Sequence, residues 1–353
     1  MKRLKLILFL FVLGSLVFAA GEQEVQTITT KTVTDSLGRN VEIPVNPERI
    51  IVGGRGTIMI TDPLYAFDNV SDKIAAVSKT NQGMGDFLEV VEKNFTSKIR
   101  LESVFSPEHI LEYNPDLVLL KSYMKQKMGD AIEACGIPVI YLDFEKPETY
   151  IKDIRVIGEI LNQQDRANEL VEYYVDALND VMKKKSVANF KCLFLYHSTK
   201  GGQVTFNVPP MDWIQSQMIT QAGGLPVWSD AVNSKGWNSV SMGQIAKWDP
   251  DCIFFVDYKR SAVELIEELK QNEIWAELKA TKNNALYPIP ADYYSWGQPN
   301  TRWILSLKWM ASILNGTIRG HNYSEFYPEV IDFFTQIYNL PINEIDKILQ
   351  RLN

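Results

Sequence analysis

The stretch that decides the fold is SPEHILEYNPDLVLL, residues 106–120, because it aligns without gaps on SMGQIAKWDPDCIFF, residues 241–255. Each copy reads as a serine N-cap, a short helix with one apolar face, a Pro-Asp break and an apolar strand. Pro107, directly after Ser106, suits the first position of a helix. A helix-then-strand unit that recurs in this way predicts two similar α/β lobes. Outward from these segments, short β-branched runs alternate with amphipathic ones from Ile50 onward, the pattern of a parallel sheet covered by helices. The clearest strands are Arg49–Val52, Asp116–Leu120, Val139–Leu142, Cys192–Tyr196 and Asp251–Val256. Their unbroken apolar character fits strands buried on both faces.

Between the lobes, apolar residues from Ile151 to Val181 recur at helical spacing within a segment running from about Pro147 to Lys185. Lys183, Lys184 and Lys185 close it, where cations favour the negative end of a helix dipole. Gly158 and Asn162-Gln163-Gln164 mark a place where the helix can break. The expected plan is α/β: two Rossmann-like lobes with central parallel sheets, joined by one long interlobe helix. The lobes are assigned to residues 21–147 and 186–353, the helix to 148–185.

Residues 1–20 read as a cleavable signal peptide, with Lys2, Arg3 and Lys5 ahead of an apolar run from Leu6 to Phe18 and small residues at Ala19 and Ala20. That run is interrupted by Gly14 and Ser15 and is shorter than the roughly 18 to 20 residues of a spanning helix. No cysteine stands near the junction, so the sequence predicts a free periplasmic protein without a lipid anchor. Removing the signal's cations leaves 33 basic against 43 acidic residues, a net charge of −10. Such a balance argues against nucleic acid or anionic membrane as the main partner.

Cys135, Cys192 and Cys252 are odd in number and lie in or beside apolar runs, so they are expected to be small buried hydrophobes. His109, His197 and His321 are scattered. Neither set has the spacing of a metal site, and no cofactor is expected. No nucleophile elbow, metalloprotease helix or local base pair appears, so the chain is not read as an enzyme.

In parallel sheets a ligand crevice forms beyond the carboxyl ends of the strands. Those ends carry Arg55 and Thr57, Lys121 and Tyr123, His197, Tyr258 with Lys259 and Arg260, and Tyr294 with Trp296. The cations suggest a positively charged cleft, and the aromatic rings suggest stacking surfaces. The turn Gly53-Gly54-Arg55-Gly56 has two readings, an anion cradle of backbone N–H groups or a tight strand-to-helix turn. Arg302, one turn into the next helix, likewise reads as a ligand contact or as a structural salt bridge.

VTDSLGRNVEIPVNPERIIVGG (33–54) predicts a hairpin turning at Ser36-Leu37-Gly38, then a proline-punctuated entry into the first strand. Together with NPDLVLL (114–120), GIPVIYL (136–142), IGEILNQQDRANELVEYY (157–174), AGGLPVW (222–228), DPDCIFF (249–255) and WAELKATKNNALYPIP (275–290), it resembles the iron-siderophore and cobalamin family of ABC-importer binding proteins. The ordered set spans nearly the whole chain after residue 20. The resemblance implies a monomer that holds a small-molecule metal chelate between its lobes, closes only modestly, and delivers to an ABC permease and its ATPase. It further implies an acid on each lobe for docking. Asp212 matches in the second lobe, whereas Glu102 is only the nearest substitute in the first. An iron-siderophore cargo is expected; haem, a corrinoid or an oxyanion are alternatives, and a chelatase-like enzyme is the rival from another class.

Overall fold

The computed structural model describes residues 29–352 other than 81, 187, 233–235 and 319–322. The signal peptide assigned to residues 1–20 and His321 lie outside them. The chain enters through an antiparallel hairpin, β1 (Thr30–Thr34) and β2 (Asn40–Pro44). Its turn is held by the Asp35 carboxylate, which accepts from the backbone N–H of Leu37 (2.9 Å) and of Arg39 (3.0 Å), while Gly38 takes φ +77°. Arg39 also reaches Glu133 and the Val139 carbonyl, fastening the hairpin to the first lobe.

That lobe is a five-stranded parallel sheet formed by β3 (Ile50–Val52), β4 (Ile74–Ser78), β5 (Ile99–Leu101), β6 (Leu117–Lys121) and β7 (Val139–Leu142), in the order β5-β4-β3-β6-β7. Side chains alternate across it. Ile50, Val52, Leu117, Leu119, Ile140 and Leu142 face the large continuous core, while Ile51, Val118, Leu120 and Tyr141 face a smaller one. Both faces are thus covered, as the apolar runs predict.

The second lobe contains β8 (Lys191–Ser198), β9 (Thr205–Val208), β10 (Leu225–Pro226), β11 (Asn238–Val240), β12 (Cys252–Val256) and β13 (Leu286–Pro288). Here β8, β12 and β13 run parallel, but β9 and β11 add to the carboxyl half of β8 as an antiparallel extension. The internal sequence match reappears in the pairing. In each lobe the strand after the matched helix lies parallel to the lobe's first strand, Leu117 opposite Ile50 and Cys252 opposite Cys192. The serine caps differ, since Ser241 accepts from the Gln244 N–H whereas Ser106 makes no such bond.

The connection is two helices, Pro147–Leu161 and Gln164–Lys184, in place of the single long one. Asn162 takes the left-handed conformation (φ +57°), ending the first helix as an asparagine can at low cost. Gly158 then lets Ala167 pack against the first helix where a larger residue would collide. Among the described residues no helix is long and apolar enough to cross a membrane. Cys192 and Cys252 are buried side by side, but Cys135 is exposed, contrary to expectation, at the end of a short helix whose buried contact is Ile132.

Hydrogen bonds and ion pairs join the lobes at several places. Arg302 bonds Asp62 of the first lobe and Asp292 of the second, all three side chains fully buried. The Gly83 N–H donates to the Tyr258 carbonyl (2.9 Å) and the Met84 N–H to that of Tyr293 (2.9 Å). On the other side the Ile214 N–H donates to the Glu145 carbonyl (2.8 Å), and Lys146 pairs with Asp212 at 2.7 Å. Gly83 has φ +93°, and a Cβ there would stand 2.6 Å from the Tyr293 carbonyl oxygen.

Candidate functional site

A cavity of about 490 Å³ opens between the lobes, beyond the carboxyl ends of β6, β7 and β12. The first lobe contributes Met59, Gln82, Ser122, Tyr123, Asp143 and Glu145; the second contributes Trp213, Gln215, Trp237, Tyr258, Gln298 and Pro299. Tyr123 and Tyr258 occupy equivalent places, each three residues past the end of a matched segment. Their surroundings differ. Tyr258 is buried and donates to the Gly297 carbonyl (3.0 Å), and burial pushes its phenol well up. Tyr123 is 43 % exposed and donates to the Arg55 carbonyl at 2.8 Å.

The second-lobe wall is aromatic. Trp237 meets Trp213 edge-on at 5.6 Å and packs near Tyr196 (5.0 Å) and Tyr258 (6.2 Å). Among the described residues, Asp143 and Glu145 are the charged ones that line the cavity. Lys121 lies behind them, fully buried, with its ammonium on Glu145 (2.9 Å) and on the Asp143 carbonyl. Asp153 braces this loop, accepting from Ser36 and from the N–H groups of Asp143 (2.6 Å) and Phe144 (2.9 Å). Burial outweighs these bonds and raises the Asp153 carboxyl to about 6.

A smaller cavity of about 260 Å³ shares Gln82 and Tyr258 and is lined also by His197, Asp257 and Lys259. His197 is buried, its Nδ1 2.8 Å from Asp257. Burial tends to raise the Asp257 carboxyl, but the bonds from His197 and the Lys259 N–H outweigh it and hold it low. The strand-end residues therefore divide. Tyr123 and Tyr258 line the main cavity, and His197 and Lys259 the adjoining one.

The others are placed elsewhere. Arg55 is exposed on the rim, outside the lining of either cavity. Thr57 donates to the Gly54 carbonyl (2.6 Å), holding the glycine turn, where Gly54 and Gly56 both have positive φ. Lys121 is consumed by Glu145, and Arg260 by Glu268 and Asp257. Tyr294 and Trp296 are core residues bonded to Asp86 (3.2 Å) and Asp292 (3.0 Å). Arg302 adopts its structural reading, with Asp62 and Asp292 at 2.8 Å and its guanidinium over the Phe87 ring at 4.2 Å. Among the described residues, most of the strand-end cations already have carboxylate partners, and Lys259 is the one of them that lines a cavity without one.

The sequence reading missed Met59, Gln82, Asp143, Glu145, Trp213, Gln215, Trp237, Gln298 and Pro299. Asp143 and Glu145 follow a correctly read strand, so the same strand-end rule reaches them. Gln298 and Pro299 sit in WGQPNTRW, only two and three residues past the Trp296 that was chosen. Trp213 and Trp237 carried no signal, since neither follows a parallel strand. Among the described residues no group of three or more His, Cys, Asp or Glu is placed to hold a metal ion.

This geometry, a ligand-sized cleft between two α/β lobes, defines a solute-binding protein. Residues 59–293 match the periplasmic binding protein family model, and the chain belongs to that family. It is 26 % identical over 276 residues, 76 % of this chain and 81 % of its relative, to an uncharacterised ABC transporter substrate-binding lipoprotein, YvrC, of Bacillus subtilis. It is 21 % identical over 303 residues, 82 % of this chain and 91 % of the relative, to a probable siderophore-binding lipoprotein, YfiY, of the same species. An ABC transporter solute-binding protein of Sulfurospirillum deleyianum shares the fold, with a TM-score of 0.70, 19 % identity, and coverage of 90 % of this chain and 99 % of that one.

The protein is thus the substrate-binding component of an ABC transporter, with a permease and ATPase as partners, and it is not an enzyme. The chelatase-like alternative falls away. The expected location is also corrected: the lack of a cysteine near Ala20 predicts a free periplasmic state without a lipid anchor, but three of the Bacillus subtilis relatives are named as lipoproteins, and that expectation does not stand.

Proposed function

We propose that the interlobe cavity captures a siderophore-type iron chelate and presents it to the permease. The observation that carries this reading is the lining itself. An aromatic wall of Trp213, Trp237 and Tyr258 faces polar groups on Gln82, Gln215 and Gln298 in about 490 Å³. Rings suit the organic envelope of a chelate and carboxamides its oxygen and nitrogen edges. Likeness to a probable siderophore-binding relative supports the same class. A bare divalent metal does not fit a lining whose described residues include no histidine or cysteine. His197, Lys259 and Arg55 would then meet parts of the ligand that project from the main cavity, and the receptor would act as a monomer.

Asp212 and Glu102 are the proposed docking acids for the permease. Both are exposed near strand or helix ends of the cleft-side surface, where Asp212 pairs with Lys146 (2.7 Å) and Glu102 with Lys79 (2.6 Å). Exposed pairs of this kind are weak and exchange readily for an arginine of a partner.

Trp213 and Trp237 supply a built-in reporter. Titration of the protein with ferric siderophores, haem, cobalamin and molybdate, followed by tryptophan fluorescence, is expected to give saturable quenching at micromolar or lower concentration with a ferric siderophore. Saturation by haem, cobalamin or molybdate alone would overturn the chelate assignment in favour of that ligand.

A further inference from the structure

Two glutamines at the cavity have hydrogen-bonding capacity that the protein does not use. Gln298 is 1 % exposed, and neither its amide nitrogen nor its carbonyl oxygen has a partner among the described residues. Gln215 is 2 % exposed; its NH₂ donates to the Gly297 carbonyl (3.1 Å), and its carbonyl oxygen is unpartnered. Buried polar groups are almost always paired, and leaving one unmade is costly. Together these side chains call for at least one acceptor and two donors at the wall of one cavity. An amide group, with C=O beside N–H, offers that combination, whereas citrate oxygens offer acceptors alone.

The charges restrict the ligand further. Among the described residues the charged groups on the cavity wall are Asp143 and Glu145, and the buried Lys121 pairs with Glu145 from behind. Lys259 and Arg55 are exposed in the adjoining cavity and on the rim, where solvent weakens their reach. A polyanion placed in the main cavity would face carboxylates at close range in a partly desolvated setting.

We propose that Gln298 and Gln215 form a carboxamide reader, and that the cargo is an amide-bearing ferric trihydroxamate complex carrying no net negative charge. This rests on the chelate reading above and narrows it. A site built to hydrogen-bond its ligand rejects analogues lacking the matching groups far more strongly than an apolar site does.

The test compares three probes by tryptophan quenching: the ferric complex of a linear, amide-containing trihydroxamate, the ferric tris-catecholate of simple catechol, which carries no amide, and ferric citrate. The trihydroxamate is expected to bind at least about tenfold tighter than the other two. Gln298→Leu is expected to weaken it by about tenfold or more while leaving the others within about twofold. Asp143→Asn removes a charge whose side chain accepts only from Ser122 (3.0 Å), so the fold does not depend on it. That variant is expected to narrow the gap between the trihydroxamate and the tris-catecholate. Equal or tighter binding of the tris-catecholate or of citrate to the unaltered protein overturns the proposal while sparing the chelate reading. So does a selectivity ratio unmoved by Asp143→Asn, which holds even if Gln298→Leu proves unstable. Failure of every ferric probe to bind overturns both.

Discussion

In the first lobe β3 has a parallel neighbour on each side, β4 and β6. Its counterpart β8 in the second lobe has the parallel β12 on one side; on the other the two-residue parallel β10 pairs with its amino end, and the antiparallel β9, with β11 beyond it, extends its carboxyl end. Trp237 immediately precedes β11 and packs, tilted and edge-on, against the rings of Tyr196 and Tyr258. Among the described residues the first lobe's sheet has no such extension, and its side of the cleft is made from residues that follow β3, β4, β6 and β7, including both acids after β7. The shared scaffold thus puts Tyr123 and Tyr258 at equivalent positions, while the additions decide that one wall is aromatic and the other acidic. A repeated fold fixes where a cleft lies; its chemistry comes from what each copy adds.

The loops that follow the outer strands extend the contrast. After β13, Asp292 is neutralised by Arg302, which also takes Asp62 across the seam. The loop after β7 is braced by Asp153 of the helix Pro147–Leu161, buried without a cation in direct contact among the described residues and held by hydroxyl and N–H donors. Breaking the paired brace should have the largest effect. Arg302→Met leaves Asp62 and Asp292 buried and unpaired and is expected to lower stability by about 3–5 kcal/mol in urea unfolding. A loss below about 1 kcal/mol would mean that the apolar core shared by the lobes, with no contribution from the ion triad, holds the seam.

The unpaired brace should respond to pH instead. Its folded carboxyl titrates at about 6, above the ordinary value of 3.8. The native state therefore binds more protons than the unfolded chain between those values, so this contribution is complete below about pH 4, is lost as pH rises through 6, and is flat above. Denaturation of the unaltered protein and of Asp153→Asn at pH 4.5 and 7 should differ in pH slope by on the order of 2 kcal/mol, and equal slopes would contradict it.

The smallest effect is expected at the exposed bridge across the cleft edge. Lys146→Ala should change the melting free energy by no more than about 1 kcal/mol, less at high salt. A larger loss would make Lys146–Asp212 part of the seam and weaken the case for Asp212 as a docking acid.

Much of this architecture was legible in the sequence, because buried parallel strands, capped helices and the glycine turn all rest on local pattern. The two-lobe plan followed from one repeated segment, and each sequence-read strand agrees with an observed one to within two residues at either end. The break at Asn162 was visible only as an option, since sequence does not say whether Ala167 will fold back on Gly158. The site was less legible. Arg302, Lys121 and Arg260 have the composition of ligand contacts, yet their partners Asp62, Glu145 and Glu268 decide otherwise, and pairing across tens or hundreds of residues leaves no local trace. Trp213 and Trp237 reach the cleft through an antiparallel addition that has no counterpart in the first lobe.

Gly83 sets a boundary for anyone wishing to retarget this receptor by randomising its cleft. Position 82, whose side chain borders both cavities, is free to be diversified. The neighbouring position is not, because any side chain there needs a positive φ and drives a carbon into the Tyr293 carbonyl. A combinatorial library that varies both codons would spend most of its members on chains whose lobes cannot close their backbone bonds, whereas one that fixes the glycine keeps its diversity for the ligand.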